Sequence, residues 1–406
     1  LGHRAVLAAD PLLRGDLDLG VVGIVVLKVV VAFALLLVSV MLMIWFERKL
    51  VADMHNRIGP AVAGPFGILQ TLADGIKLFF KEDLIPDRSD RAVFKLAPYL
   101  SLVPAFLVFA IVPIGGDFSS GDGTVTWFGE RTYLQVADPP VGVLFFLALS
   151  SIAVYGVMLA GWSSGSKYPL LGSVRASAQM ISYEAALGLA IATVFLTSGS
   201  LSTHDIVATQ VSGNWNVLAT GVVPFLVFLV AGTAELNRPP FDLVEAEQEL
   251  VGGFHTEYSS LRFALFFLAE FMNVITMSAI AVTLFLGGPS GPILTDTLGW
   301  AWPILWFSVK VFAFLFGFVW LRATLPRFRY DQLMDLGWKV LIPLSLGWFL
   351  LIAAMRVADD EGWSVAGVVV IGLAGMVGGA ALLSGAIAKA RAQRLEAIEA
   401  GEGVDV

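Results

Sequence analysis

Residues 234–258 read AELNRPPFDLVEAEQELVGGFHTEY. They hold six acids, Glu235, Asp242, Glu245, Glu247, Glu249 and Glu257, and the adjacent prolines Pro239 and Pro240. An apolar run lies on either side, at about 217–235 and 263–287. Each is close to the ~20 residues a helix needs to cross a bilayer. A backbone inside lipid must satisfy its own hydrogen bonds, so runs of this kind cross as helices. The same pattern continues outward, with runs at about 19–46, 94–115, 140–161, 176–198, 300–321, 338–356 and 364–388, nine in all. The predicted fold class is an all-α polytopic membrane protein with about nine transmembrane helices.

Composition supports this. The 406 residues are 57% hydrophobic and 14% charged, with a mean hydropathy of +0.81. A soluble domain has about a quarter of its residues charged. The first run is too long for a signal-peptide core and more runs follow, so it is read as a span. Cysteine is absent, which excludes disulfides, thiolate iron–sulfur ligation and a cysteine nucleophile. The net charge of −8 argues against a nucleic-acid partner. The four histidines, His3, His55, His204 and His255, all lie outside the apolar runs, so a bis-histidine membrane haem has no place. We expect no redox centre and no metal site on this chain.

Lys and Arg set the expected orientation. The loops 47–95, 162–175, 236–262, 322–339 and the C-terminal tail hold 19 of the 25. The opposite loops and the N-terminus hold four, Arg4, Arg14, Arg131 and Arg356, while Lys28 and Lys310 fall inside spans. The N-terminus is therefore placed outside and the C-terminus, with the six-acid segment, in the cytoplasm. The loops 116–139, 199–216 and 288–299 read as Gly-, Ser- and Asp-rich connectors. Segment 66–80, FGILQTLADGIKLFF, puts Leu69, Leu72, Ile76, Phe79 and Phe80 on one helical face and Asp74, Lys77 and Lys81 on the other. That is an amphipathic helix lying at the interface, serving either as a surface anchor or at a ligand entrance. Residues 386–400 read as a solvated helix.

Carboxylates against a bilayer are costly, and a chain that keeps them there handles protons or cations. Asp242, Glu245 and Glu249 share the i, i+3, i+7 spacing of one helical face, where like charges repel. Acids also cap helix N-termini, and Pro239-Pro240 would begin such a helix. Capping needs one or two acids, whereas this segment has six with only Arg238 and His255 beside them. A coupled proton-handling cluster is the better reading. Glu184 and Glu270 lie within spans, and each costs ~2.5–3.5 kcal/mol at a helix centre. With the acidic segment they suggest a hydrated carboxylate path. Lys310 is a candidate charge partner, and Lys28 reads as snorkelling toward the surface. Arg48 and Arg57, next to the Gly59-Pro60 turn and the amphipathic helix, are candidates for a pocket. Arg175, Arg322, Arg327 and Arg329 fit the positive-inside pattern.

Four stretches carry a resemblance: Glu47-Arg48-Lys49 with Arg57-Ile58-Gly59-Pro60; GPFGILQTLADGIKLFFKEDLIP at 64–86; the acidic segment running into RFALFFLAEF; and WLRATLPRFRYDQLMDLGWK at 320–339. SYE at 182–184 also fits. Over about 19–356 the chain resembles the H-subunit family of NADH-quinone oxidoreductase, the respiratory complex I membrane component beneath the peripheral arm. The resemblance implies that Arg48, Arg57, Asp74 and Lys77 line the quinone channel, with Phe267 as an apolar wall. It implies that Glu184, Glu235, Asp242, Glu245, Glu247, Glu249 and Glu270 form the acidic path toward proton translocation, with Arg175 and Arg238 as charge partners. It places NADH, FMN and iron–sulfur clusters on partner subunits. The implied partners are quinone-site peripheral subunits, proton-pumping membrane subunits and lipid, in a bacterial inner membrane. Residues 1–356 would form the family's eight-span domain, and 357–406 an additional span and cytoplasmic tail. The chain departs from the family at His55 (usually Gln), Ala61 (Asn) and Leu236 (Thr), which bears on the shape of the entrance. The equivalent component of a membrane-bound hydrogenase or formate hydrogenlyase shares the acidic path. A stand-alone ion transporter is a third reading, disfavoured by the lack of an internal repeat, and a pure scaffold leaves the acids without a role.

Overall fold

The computed structural model describes residues 10–13, 18–118, 122–243, 250–292 and 299–399. Glu245, Glu247 and Glu249 lie outside the described residues. In chain order the elements are α1 (Leu19–Met54), α2 (Gln70–Phe80), α3 (Arg91–Phe109), β1 (Thr124–Trp127), β2 (Glu130–Tyr133), α4 (Gly142–Ser163), α5 (Lys167–Ser198), α6 (Thr203–Ser212), α7 (Asn216–Ala219) and α8 (Val222–Glu235). They continue with α9 (Ser260–Phe285), α10 (Ala301–Thr324), α11 (Tyr330–Asp335), α12 (Ile342–Asp360) and α13 (Val365–Glu399). A π-helical turn, Leu336–Leu341, joins α11 to α12 as one crossing. Among the described residues eight helices are long and apolar enough to cross a membrane. The protein is an all-α polytopic membrane protein.

The run at 217–235, expected as a full span, is shorter than that. Its helix α8 has 14 residues, ~21 Å at 1.5 Å per residue. The break falls at Gly221, whose φ of +78° takes the backbone out of the helix. Trp348 of α12 packs there, and a Cβ at Gly221 would come within 2.9 Å of its ring. The Trp348 indole donates to the Thr220 carbonyl at 2.8 Å, so the chain exchanges helical turns for a docked aromatic. The connectors hold structure too. Residues 124–133 form an antiparallel hairpin with Thr124 opposite Tyr133, and α6 lies in 199–216. The final span and the tail form one 35-residue helix, α13.

α4 and α5 are joined by residues 164–166 alone, which makes them antiparallel neighbours. The Asp90 amide donates to the Ser163 carbonyl, placing the start of α3 beside the end of α4. The bundle therefore has two ends. The hairpin end holds the start of α1 and β1–β2, and the α2 end holds the end of α1 and the starts of α3, α5 and α9. α9 is the most enclosed span, and the apolar window of α13 is not buried at all. Exposed Val26, Val30, Phe312, Val370 and Ile371 give the outer helices the apolar surface that lipid requires.

Lys28 does not snorkel. It is buried and pairs with Asp10 at 2.5 Å. Asp10 also accepts from the Thr132 hydroxyl at 2.9 Å and the Leu12 amide at 3.0 Å. The partner comes from the segment before the span, so hydropathy of the span does not reveal it.

Candidate functional site

At the α2 end the turn 59–67 folds back on α1. A Cβ at Gly67 would sit 2.4 Å from the Pro60 carbonyl, so this close approach needs glycine. The Trp45 indole donates to the Phe66 carbonyl at 3.0 Å and the Thr71 hydroxyl to the Met41 carbonyl at 3.2 Å. Arg48 pairs with Asp74 at 2.6 Å, and Lys77 lies 3.4 Å from the same carboxylate. Burial pushes the Asp74 carboxyl up, but hydrogen bonding and attraction from Arg48 and then Lys77 outweigh it and hold Asp74 below its usual range. The polar side of α2 thus faces α1, while Leu72, Ile76, Phe79 and Phe80 remain exposed. Arg48 and Arg57 line one open cavity of about 410 Å³, together with Glu47 and Arg322.

Glu47 leads inward from this basic pocket. It is buried and takes ion pairs from Arg322 and from Arg238, the latter at 3.4 Å. The other side of the Arg238 guanidinium reaches Glu270, with Nε 3.0 Å from its carboxylate. The guanidinium also lies 4.4 Å from the Phe271 ring centroid. The turn that presents Arg238 is held by Gln179 of α5, which donates to the carbonyls of Ala234 (2.7 Å) and Phe241 (2.8 Å) and to Asn237 Oδ1 (3.0 Å). Pro239-Pro240 is a cis bond within that turn. Arg327 pairs with buried Asp242 at 3.1 Å, and the Phe328 amide donates to the Pro240 carbonyl, tying the turn to the segment after α10. A buried cation is tolerated when paired and strongly destabilising when its partner is removed. Here one cation has two carboxylates and one carboxylate has two cations.

Glu270 and buried Glu235 line a second cavity, of about 70 Å³, with Phe267, His255 and Asn273. Glu235 and Asn273 also line a further cavity of about 30 Å³ beside Ser150 and Thr276. A water needs roughly 10–15 Å³ of such volume, so both spaces admit water. Adjacent serines of α4 serve the acids: Ser150 donates to Glu235 and Ser151 to Glu184. Glu235 of α8 and Glu184 of α5 are thereby tied to α4, and Glu270 of α9 meets Glu235 across the shared cavity.

Two expected roles move. Phe267 stands in the ring series Phe263–Phe267–Phe271 on the acid cavity, not on the Arg48–Arg57 pocket. Among the described residues Lys310 pairs with none of the acids. Its ammonium donates to the carbonyls of Leu286, Gly288 and Ser290 at 2.8–3.0 Å and lies over Trp215, capping the end of α9 at the hairpin end. Arg175 is half-buried on α5, ~13 Å along that helix from Glu184. Sequence reading gives Glu47, Arg322, Arg327, Gln179 and the two serines no role in the site. Glu47 stands inside a span, and that signal was masked by Arg48-Lys49 after it, which read as an ordinary basic helix end.

Fold and site together define a class: a polytopic membrane protein with an open basic pocket joined to a buried, charge-shared carboxylate network. The family model described as NADH dehydrogenase matches residues 27–353. The H subunit of NADH-quinone oxidoreductase from Frankia casuarinae is 54% identical over 375 residues, covering 90% of this chain and 81% of the relative. The protein of that name from Frankia alni is 53% identical, covering 91% and 82%, and that from Streptomyces avermitilis is 51% identical, covering 84% and 75%. The chain belongs to the H-subunit family of NADH-quinone oxidoreductase.

Proposed function

We propose that this chain is the quinone-cavity membrane subunit of a proton-pumping NADH-quinone oxidoreductase, and that its carboxylates couple quinone reduction to proton translocation. It would lie in a bacterial inner membrane with the N-terminus outside and the C-terminus cytoplasmic. NADH, FMN and iron–sulfur clusters would sit on partner subunits, with proton-pumping membrane subunits beyond the acid path. The relatives' names favour this over a hydrogenase-type component or a stand-alone transporter. The family match ends at residue 353, which supports reading 357–406 as an addition to the eight-span domain.

One observation carries the reading: Arg238 is shared between Glu47, which lines the basic pocket, and Glu270, which lines the acid cavity. Arg48 and Arg57 would bind the quinone, and Asp74 and Lys77 fix the Arg48 side of its entrance. Quinone reduction consumes protons and changes the charge in that pocket. Glu47 answers by changing its share of Arg238 and Arg322. Arg238 then divides itself differently between Glu47 and Glu270, and the proton affinity of Glu270 follows that division. Glu235, in the same cavity, passes the change to Ser150 and so toward Glu184. Asp242 with Glu245, Glu247 and Glu249 would extend the path on the loop side. Arg175 is proposed as a further charge partner. The chain transmits energy and passes no electrons itself. A photoreactive quinone bound to the intact complex tests the pocket. Labelling within 47–60 and around Arg322, lost when an inhibitor of quinone reduction is added, is expected. Labelling confined to other subunits would overturn the assignment.

A further inference from the structure

One titratable side chain of the acid cavity has no part in the path so far. His255 lines that cavity with Glu235 and Glu270. Its imidazole stands edge-on between two rings, 5.1 Å from the Phe254 centroid at 70° and 5.3 Å from that of Phe263 at 87°. The segment beneath it is fixed. The Tyr258 amide donates to the His255 carbonyl at 3.0 Å, and the Thr256 hydroxyl to the Gly253 carbonyl at 2.7 Å. Gly172 of α5 packs so closely that a Cβ there would lie 2.8 Å from Gly253 Cα. The ring is half-buried, so it stands at the rim where the cavity meets loop 250–258. Two oxygens lining the same space are buried without a hydrogen-bond partner among the described residues: Glu235 Oε2 and Ser101 Oγ, in residues 8% and 6% exposed. Groups like these are satisfied by water where the space is polar and large enough.

We propose that His255 is the proton-exchange residue of this cavity, moving protons between loop 250–258 and the Glu235–Glu270 pair. The inference rests on reading Glu235 and Glu270 as part of a proton path. The step balances without an electron. One ring nitrogen takes a proton from the loop side, the other releases one into the cavity, and the tautomer resets before the next transfer. Imidazole suits this because it can take up a proton at one ring nitrogen and release one from the other. Around it, α8 brings Glu235 and α9 brings Glu270; the charged residues next to its packing partners in sequence are Arg262, before Phe263 and paired with Asp83, and Arg175, one turn beyond Gly172. The loop itself brings Glu257 and Tyr258. α3 and α4 contribute Ser101, Ala153 and Val157, none of them charged. Burial pushes the Tyr258 phenol up to about 12, so it does not compete as a carrier at neutral pH.

The test uses the complete complex in sealed vesicles, with His255→Asn and His255→Ala compared with the parent. Both variants are expected to assemble and to lose about a hundredfold or more of NADH-driven proton uptake, the low end of the range for positioned proton-transfer groups. The pH profile of uptake should change, and free imidazole should restore uptake in His255→Ala. An unchanged rate and pH profile in His255→Asn would overturn the proposal, as would a loss in the assembled His255→Ala complex that imidazole leaves untouched. Glu235→Gln, run in parallel, separates the two levels. If it pumps normally, the path reading itself fails. If it is impaired while the His255 variants are normal, only the role of His255 fails.

Discussion

The two ends of the bundle bury charge in opposite ways. At the hairpin end, Lys28 has one carboxylate partner, Asp10, whose oxygens are further taken up by Thr132 and the Leu12 amide. Lys310 is satisfied by three carbonyls. At the α2 end, Glu47 is shared by two arginines, Arg238 by two carboxylates, and Glu235 Oε2 has no hydrogen-bond partner among the described residues. A fully satisfied pair has one good arrangement. A shared one has several of comparable energy, and a nearby change of charge selects among them. In the proposed function, closed pairs hold the fold and shared pairs transmit through it.

Arg238 is where this contrast breaks most visibly. Arg238→Ala leaves buried Glu47 with Arg322 alone and takes the same arginine from half-buried Glu270, a loss of up to about 3–5 kcal/mol, the range for a broken buried pair. The intact complex should be depleted on native electrophoresis, and an Arg238→Ala complex of normal abundance and activity would show that the sharing is idle. Glu235→Gln is gentler, since the amide oxygen still accepts from Ser150. Assembly should be normal and proton uptake in vesicles about a hundredfold lower or worse, because a neutral amide cannot exchange the proton. Normal uptake would remove Glu235 from the path.

The closed end gives the opposite expectation. Lys28→Met should destabilise the purified complex by about 3 kcal/mol, read as a lower melting temperature, and leave protons pumped per NADH unchanged. Adding Asp10→Leu should recover most of that loss, since the pair then leaves together. A change in pumping stoichiometry would mean that this end is not merely structural. Asp138, also at the hairpin end, gives the smallest effect and sets its pH dependence. Burial pushes its carboxyl up to about 6, against the pull of the Ser202 hydroxyl and His204. The folded value exceeds the unfolded one of ~3.9, so the unfolded chain releases its proton first. Stability should fall as pH rises from about 4 to about 6 and then level off. Asp138→Asn should flatten that slope in thermal melts, and an unchanged slope would assign it to another group.

Much of the architecture was legible because hydropathy reports solvent, and lipid is a strong selector of sequence. Eight long crossings and the face of α2 follow from it directly. The shortened α8 did not, because its break depends on Trp348, more than a hundred residues away in sequence. The site was half legible. Acids inside or beside spans stand out by their cost, which is how Glu184, Glu235, Asp242 and Glu270 are found. Their partners do not stand out. Arg322 and Arg327 look like any basic residues at a helix end, Ser150 and Ser151 look like small helix residues, and Glu47 is hidden beside Arg48-Lys49. Lys28 and Lys310 misled for the same reason: a lone cation in an apolar run says nothing about which carboxylate or carbonyl it meets.

The most direct measurement is made on vesicles holding the complex with Arg238→Lys, which keeps the charge but cannot bridge Glu47 and Glu270 in the same geometry. Quinone-linked NADH oxidation and proton uptake would be recorded together, beside electron transfer from NADH to a water-soluble artificial acceptor. The expected result is that quinone turnover and proton uptake fall together while transfer to the artificial acceptor is unchanged. Full quinone-linked pumping in that variant would contradict the role given to the shared arginine.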